Sequence, residues 1–192
     1  MRITAGRAKG THLRGPRTGV RPTADRVKDA LFNSLAPRLA GARVLDLFAG
    51  TGALGIEALS RGAIRAVFVE RDARAAAAIR ANLAAARFQE SAEVRRGGVE
   101  AEIAALERDA AEFDLIVLDP PYGQDLTART LRRLAASRVL AGGGLIAAEG
   151  HWRDDPGEVP GLARIRTARY GETTLWFYAP GGRPDGEGTE EA

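Results

Sequence analysis

The fold of this chain is decided by the stretch RVLDLFAGTGALG at residues 43–55. Residues 43–48 form an apolar run typical of a buried strand, and residues 53–61 have the pattern of a helix. The glycines between them fit the pattern G-x-G-x-x-G, which lets a chain turn tightly from a strand into a helix. The stretch therefore predicts the first strand, turn and helix of an α/β sheet.

Strands and helices alternate on the carboxyl side of this stretch. We predict strands at residues 43–48, 66–70, 93–96, 114–118 and 145–149, and helices at residues 53–61, 73–87, 100–108 and 126–137. Two more strands, at residues 163–168 and 173–178, follow one another without a helix and predict a terminal antiparallel hairpin. Together they predict a doubly wound, mainly parallel sheet of seven strands, which binds its ligands at the carboxyl ends of the strands.

Basic residues are concentrated on the other side of the stretch, at the amino-terminal end. Residues 1–28 contain eight Lys or Arg and one Asp, although the whole chain has a net charge of only +3. Such a segment is typical of a surface that binds a polyanion, but a solvated, partly disordered arm has the same composition. Residues 2–4 and 11–13 predict a short hairpin. Thr23 is expected to cap a helix at residues 24–36 that presents Arg26 and Lys28 beside its apolar stripe.

Composition predicts one globular domain. With 192 residues and 45% hydrophobic content, the chain can form a three-layer core but not two such cores. We expect a basic arm at residues 1–22, one domain at residues 23–180 and a disordered acidic tail at residues 181–192. Cysteine is absent, which excludes disulfides, thiolate metal sites and cysteine nucleophiles. With neither a secretory signal nor a run of about 18 apolar residues, we expect a cytoplasmic monomer without membrane contact.

Two acids flank the glycine-rich turn and distinguish between possible cofactors. Asp46 lies at the end of the predicted strand and faces the crevice, where a carboxylate attracts the cationic amino acid group of S-adenosylmethionine but repels the pyrophosphate of NAD. Glu70 ends the next strand, where it can accept hydrogen bonds from the ribose hydroxyls of either cofactor. Asp72 is predicted to cap the helix that follows. The turn and its acids therefore favour S-adenosylmethionine.

The tetrapeptide Asp119-Pro120-Pro121-Tyr122 follows the strand at residues 114–118 and indicates the chemistry. The prolines fix an extended backbone and remove two N–H donors, so the local carbonyls are available as acceptors. An exocyclic amine that donates to the Asp119 carboxylate and the Pro120 carbonyl would be stabilised as its nitrogen attacks. Tyr122 can stack on a base taken out of its helix. Asp119, Pro120 and Tyr122 are therefore the candidate catalytic residues.

These two motifs resemble those of S-adenosylmethionine-dependent amino-methyltransferases, which methylate exocyclic nitrogens of adenine, cytosine or guanine. More narrowly, residues 3–13, 21–33 and 55–60 and the pair Tyr170-Gly171 resemble the RsmD family of 16S ribosomal RNA guanine-N2 methyltransferases. The resemblance runs from about residue 2 to residue 179. It implies a Rossmann-like class I methyltransferase fold and direct methyl transfer, without a metal, to guanine 966 of the small-subunit RNA.

The resemblance also assigns residues to roles. Candidates for binding the cofactor are Asp46, Phe48, Ala49, Gly50, Gly52, Glu70, Arg71 and Asp119. Candidates for binding RNA are Arg7, Lys9, Arg14 and Arg17 at phosphates, and Arg21, Thr23 and Arg26 near the cofactor or the target base. His12 and His151 are expected at the surface or near RNA rather than in catalysis. Gly98 stands where many such enzymes hold the cofactor adenine with an Asp or Asn, so that contact is left to backbone groups or to Glu100.

Two other classes of protein stay open. A DNA adenine-N6 or cytosine-N4 methyltransferase shares both motifs, and a dinucleotide-binding module or dehydrogenase fits the glycine-rich turn but not residues 119–122. The basic arm and the lack of a sizeable extra domain for reading DNA favour RNA, which is mostly recognised by shape and in unpaired loops. A chain of this size has little surface for selecting one guanine. We therefore expect the substrate to be 16S ribosomal RNA within an assembling small ribosomal subunit.

Overall fold

The computed structural model of the chain describes residues 1–15, 22–123 and 125–181, and for residues 22–25 it describes the backbone alone. The predicted tail covers residues 181–192, of which residues 182–192 lie outside the described residues, as do the side chains of Arg17, Arg21 and Thr23. The strands are β1 (Arg43–Leu47), β2 (Arg65–Glu70), β3 (Ala92–Arg96), β4 (Phe113–Leu118), β5 (Leu140–His151), β6 (Leu162–Tyr170) and β7 (Thr173–Pro180). The helices are α1 (Pro22–Leu35), α2 (Ala53–Ser60), α3 (Ala73–Ala86), α4 (Val99–Arg108) and α5 (Leu126–Ala135). The predicted alternation of strands and helices is confirmed.

The seven strands form one sheet in the order β3-β2-β1-β4-β5-β7-β6. Strands β1 to β5 are parallel, and β7 runs antiparallel to both β5 and β6. The mainly parallel sheet with an antiparallel terminal hairpin is therefore confirmed. The strand order reverses between β1 and β4, and such a reversal opens a crevice at the carboxyl ends of the strands.

Apolar side chains alternate along the strands between two cores, one on each face of the sheet. One core contains Val44, Phe68 and Leu115 and is covered by α1, α2 and α3. The other contains Leu45 and Ile116 and is covered by α4 and α5. Because successive side chains of a strand point to opposite faces, apolar runs such as β4 supply both cores. The result is a three-layer α/β fold whose loops at one edge are free to bind ligands.

The first fifteen residues pack against α2 as a hairpin. Arg2 forms a β-bridge with His12, and the Ile3 N–H donates to the Thr11 carbonyl at 3.0 Å. Ile3 and Leu13 are both buried in the core on the α1 side of the sheet. The predicted hairpin is confirmed, and its apolar residues belong to the same core as the strands.

A buried carboxylate, Glu57 of α2, holds the hairpin in place. Glu57 accepts from the Thr4 N–H at 2.9 Å and forms ion pairs with Arg61 at 2.8 Å and Lys28 at 3.3 Å. Burial by itself would raise the pKa of Glu57, but these donors outweigh it and hold the pKa below its usual value. Lys28 does not present its charge to solvent as predicted. Its side chain is buried, and its ammonium donates to the Arg2 carbonyl at 2.8 Å and pairs with Glu57.

The hairpin turn approaches α2 most closely at Gly6. The Arg7 N–H donates to the Ser60 carbonyl at 2.8 Å, and the Ala8 N–H donates to the Ser60 hydroxyl at 2.9 Å. Gly6 has a φ of +80°, and a Cβ at this position would lie 1.8 Å from the Ser60 carbonyl oxygen. Both the turn and the close approach therefore require glycine.

The starts of α1 and β5 differ from prediction for local reasons. Helix α1 begins at Pro22, because proline suits the first turn of a helix, so Thr23 lies inside the helix and does not cap it. Strand β5 begins at Leu140 and pairs with β4 through a register shift between Phe113 and Leu115. Asp72 caps α3 as predicted and accepts from the Ala75 N–H at 2.8 Å. None of the described helices is both long and apolar enough to cross a membrane.

Candidate active site

A cavity of about 1290 Å³ opens at the carboxyl edge of the sheet, beside the point where the strand order reverses. The ends of β1, β2, β4 and β5 and the loop before α4 form its wall. The predicted site residues along this wall are Asp46, Phe48, Ala49, Gly50, Glu70, Arg71, Asp119, Pro120 and Tyr122. Gly52 shapes the turn without lining the cavity. The fold thus brings the two motifs that carried the sequence analysis into one space.

Phe48 and Gly52 give the turn after β1 its shape. Phe48 has a φ of 63° and Gly52 a φ of 77°, and a phenylalanine in this left-handed region is uncommon. The N–H groups of Gly50 and Asp72 donate to the two carboxylate oxygens of Glu70, each at 2.8 Å. Glu70 therefore braces the turn. Each of its oxygens keeps a second lone pair for a ligand hydroxyl, so the predicted contact with ribose stays compatible with this bracing.

Asp46 is a buried carboxylate that accepts a hydrogen bond from the backbone. It is 1% exposed, and its Oδ2 accepts from the Gly55 N–H at 2.8 Å. Burial raises the pKa of Asp46 to about 7, although the Gly55 hydrogen bond opposes the shift, and the charges of Asp119 and Glu70 add to it. A desolvated anion of this kind is stabilised by a cation that enters the cavity.

The Asp-Pro-Pro-Tyr motif forms the opposite part of the wall. Asp119 directly follows β4, Pro120 is buried, and Tyr122 is 45% exposed at the rim of the cavity. The Asp119 side chain is exposed to the open cavity, and the protein around the cavity partly desolvates its carboxyl, which raises its pKa to about 6. A carboxylate, a carbonyl and an aromatic ring thus border the same space, as the motif predicted.

Glu149, near the end of β5, is a candidate functional residue that the sequence analysis missed. It lines the cavity, and the Tyr122 hydroxyl donates to its Oε1 in a long hydrogen bond of 3.4 Å. Burial, together with the negative charge of Asp119, raises the pKa of Glu149 to about 8. The available signal was an acid directly after the apolar run 145–148, at the edge of a parallel sheet where ligands bind.

The loop between β3 and α4 closes the cavity on a third side. Gly97, Gly98, Val99 and Glu100 line it, and α4 begins at Val99 without a side-chain cap from Gly98. Glu100 is held by Arg129, whose Nη2 donates to it at 2.7 Å. With Glu100 engaged by Arg129, the backbone N–H groups at the start of α4 are candidates for a contact with an adenine ring.

Those predicted RNA-binding residues whose side chains the structure describes do not line the cavity. Arg7, Lys9 and Arg14 are exposed on the hairpin, and Arg26 is exposed on α1. His12 is also exposed, and His151 is half-buried. The same two elements contribute Met1 and Lys28 to the cavity wall, so the basic surface borders the site.

Known proteins share both the sequence and the fold. A family model described as "Conserved hypothetical protein 95" matches residues 1–179. YlbH of Bacillus subtilis, provisionally named an rRNA methyltransferase, is 38% identical over 181 residues, which cover 93% of this chain and 98% of that protein. Ribosomal RNA small subunit methyltransferase D of Escherichia coli K12 is 36% identical over 150 residues, covering 78% and 74%. The structure of Escherichia coli yhhF, provisionally named a methyltransferase, matches with a TM-score of 0.83 at 33% identity and covers 94% of this chain and 97% of that one.

The sheet order and the solved structure that it matches place the chain among the Rossmann-like class I methyltransferases. Within that class, the family match over residues 1–179 and the identity to the Escherichia coli enzyme show that the chain belongs to the RsmD family. This confirms the resemblance seen in the sequence.

The residues present fit S-adenosylmethionine, the methyl donor of this class. When bound, it supplies a methyl group on a positively charged sulfur. The desolvated Asp46 carboxylate would hold its cationic amino acid end, and Glu70 would hold its ribose. Among the described residues, no group of three or more His, Asp or Glu is arranged to hold a metal ion.

Proposed function

We propose that this chain transfers a methyl group from S-adenosylmethionine to the exocyclic N2 of guanine 966 in 16S ribosomal RNA, within an assembling small ribosomal subunit. One observation carries the proposal: a second carboxylate, Glu149, shares the cavity of Asp119 and the Asp-Pro-Pro-Tyr motif. The relative in Escherichia coli supports ribosomal RNA as the substrate, because its name assigns it to the small subunit.

A pair of carboxylates favours guanine over the other bases that carry an exocyclic amine. Guanine presents three N–H donors along one edge, two on N2 and one on N1. Adenine and cytosine present two amine donors beside a ring nitrogen that is an acceptor. The N1–H of guanine would stabilise the ionised form of Glu149, whose pKa is raised to about 8 without a ligand. The ring-nitrogen lone pair of adenine or cytosine offers no such donor, and it would be left unpaired wherever it faced the Asp119 carboxylate.

The residues of the motif would act on the attacking nitrogen. Asp119 and the Pro120 carbonyl accept from the N2 amine and orient its lone pair, while Tyr122 stacks on the flipped base. The new bond joins N2 to the methyl carbon as the carbon–sulfur bond breaks. The surplus proton of N2 passes to the Asp119 carboxylate, whose pKa of about 6 allows it to accept a proton and release it to water.

The experiment offers labelled S-adenosylmethionine with each of three substrates: small ribosomal particles lacking the modification, naked 16S RNA and duplex DNA. Nucleoside mass spectrometry then identifies the methylated base. We expect N2-methylguanine at one RNA position, formed fastest on the particle and lost in Asp119→Asn. RNA with inosine at that position, which lacks the exocyclic amine, should accept no methyl group. Methyladenine or methylcytosine in DNA would instead assign the chain to the DNA amino-methyltransferases.

Glu149→Gln tests the selection of guanine without removing Asp119. The amide oxygen can still accept from N1–H but carries no negative charge, so the loss of a charge-assisted hydrogen bond should lower kcat/KM for the guanine substrate about 10-fold. Affinity for S-adenosylmethionine should stay within a factor of two or so, since Glu149 is placed at the base. An unchanged kcat/KM would remove Glu149 from the base-selecting role while leaving the methyl transfer itself intact.

A further inference from the structure

An exposed strip of aromatic and arginine side chains continues from the cavity rim. It consists of Tyr122, His151, Trp152, Arg153 and Arg169 and is called the aromatic strip below. The ring centroids of Tyr122 and His151 are 6.1 Å apart, and those of His151 and Trp152 are 5.8 Å apart. The guanidinium carbons of Arg153 and Arg169 lie 4.9 Å and 4.4 Å from the centroid of Trp152.

The strip is fixed to the frame of the active site by backbone hydrogen bonds. The Trp152 N–H donates to the Glu172 carbonyl at 2.9 Å, which ties the loop after β5 to the turn between β6 and β7. The Gly123 N–H donates to Asp154 at 3.0 Å, which ties the same loop to the Asp-Pro-Pro-Tyr segment. A group bound at Trp152 is therefore held in a set position relative to Tyr122.

The tryptophan of the strip lies at the surface of the protein. Trp152 is 38% exposed, whereas Trp176, the other tryptophan of the chain, is 1% exposed in the core. Within the described residues, the guanidinium groups of Arg153 and Arg169 rest over the indole and form no ion pair with a carboxylate, and the Arg169 Nε donates to the Gly171 carbonyl at 2.8 Å. Unpaired bases stack on aromatic rings and on guanidinium planes alike, and free guanidinium groups also attract phosphates. The strip therefore has the chemistry of a surface for single-stranded RNA.

We propose that the aromatic strip binds a nucleotide that flanks the target base, with its base stacked on Trp152 or its arginines and its phosphate near Arg153 or Arg169. This inference rests on the proposed RNA substrate. The aromatic strip would contact RNA on the side of the cavity formed by β5 and β7. The basic hairpin would contact RNA elsewhere, beside α2. When one base is flipped out of its helix, the neighbouring base loses its stacking partner. Trp152, separated from Tyr122 by the ring of His151, would replace that partner.

Intrinsic fluorescence provides the direct test, because only one of the two tryptophans lies in the strip. A short single-stranded oligoribonucleotide with one guanine between adenines is titrated into the wild-type protein and into Trp152→Phe. Stacking should quench the wild-type emission. The variant, whose remaining emission comes from buried Trp176, should show little change. Equal titration curves for the two proteins would overturn the proposal.

Steady-state kinetics separate a binding role from a structural one. Trp152→Ala should raise KM for RNA about 10- to 100-fold, while kcat, KM for S-adenosylmethionine and the unfolding midpoint change little. Trp152→Phe keeps an aromatic ring, so its KM for RNA should lie between those of Trp152→Ala and the wild type. The difference between Trp152→Ala and wild type should vanish on an RNA whose flanking nucleotides are abasic. An equal rise of KM on intact and abasic RNA would show that the ring has no nucleotide to stack on.

The two readouts distinguish this proposal from the proposed function. N2-methylguanine formed with the same RNA KM by Trp152→Ala and wild type would disprove the strip and leave the function standing. Quenching that depends on Trp152, without methyl transfer to any RNA, would support the strip as an RNA contact and disprove the proposed reaction.

Discussion

Three carboxyl groups in the cavity wall have raised pKa values because the protein desolvates them. Burial raises the pKa of Asp46 to about 7, that of Asp119 to about 6 and that of Glu149 to about 8. Each therefore binds a proton in the folded protein at a pH where the unfolded chain has released it. At neutral pH this lowers the stability of the folded protein, because desolvation penalises the charged form of each group.

The pH dependence of unfolding tests this at the level of single residues. Since the raised pKa values lie above the ordinary value of 3.8 for Asp, the stabilising contribution is complete below about pH 4 and is lost as pH rises to about 8. The ligand-free protein should thus become less stable between pH 5 and pH 8. Asp46→Asn should flatten that slope, and urea titrations of both proteins across this range measure it. A variant slope as steep as the wild-type slope would show that Asp46 ionises normally.

At the level of elements, two glycines of the hairpin differ in how closely they approach α2. Gly6 and Gly10 both have positive φ, +80° and +89°, but a Cβ would collide with Ser60 only at Gly6 and would meet nothing within 4 Å at Gly10. Gly10→Ala should therefore cost about 1 kcal/mol, the penalty of the backbone conformation. Gly6→Ala should cost roughly 2–4 kcal/mol, because overpacking is added. Denaturant unfolding measures the loss of stability in both variants, and the difference between them is the cost of the close approach at Gly6. Equal losses would contradict that cost.

The elements were predictable because their signals are local. The apolar runs, the glycine-rich turn and Asp72 as a cap could each be identified from a few neighbouring residues. The burial of Lys28 could not be predicted, because its partner Glu57 belongs to another helix. The same holds for Glu149, which gains its place beside Asp119 only once β4 and β5 pair. The left-handed Phe48 carries no sequence signal at all, since positive φ is normally marked by glycine.

At the scale of the whole molecule, charge is divided between two surfaces that border the cavity. We propose that Arg7, Lys9 and Arg14 on the hairpin contact RNA phosphates, as their positions in the family pattern suggest. Each phosphate contact releases condensed counterions, so it contributes to the salt dependence of binding without selecting a sequence. This long-range attraction would bring the RNA to the site, where the cavity and the aromatic strip select the nucleotides.

Salt titrations of RNA binding test this division. Arg7→Ala and Lys9→Ala should each weaken binding of any RNA and reduce the slope of log K against log salt by about 1. Binding of S-adenosylmethionine should not change. Arg108→Ala is the matched control, because Arg108 is exposed at the end of α4 that lies away from the cavity. A slope that falls equally in the control would mean that the attraction is diffuse rather than located on the hairpin.

Strand β6 has a consequence for how copies of this protein meet one another. It is nine residues long and is the outermost strand on one side of the sheet, and no other strand among the described residues pairs with its outer edge. A register shift between Arg164 and Arg166 bends it, and Arg169 adds a third positive charge along its length. Long flat edge strands recruit strands of other molecules, whereas bulges and like charges prevent such pairing. Asp155 neutralises Arg164, so we expect the register shift and the charges of Arg166 and Arg169 to act against edge-to-edge pairing of this strand between copies of the protein.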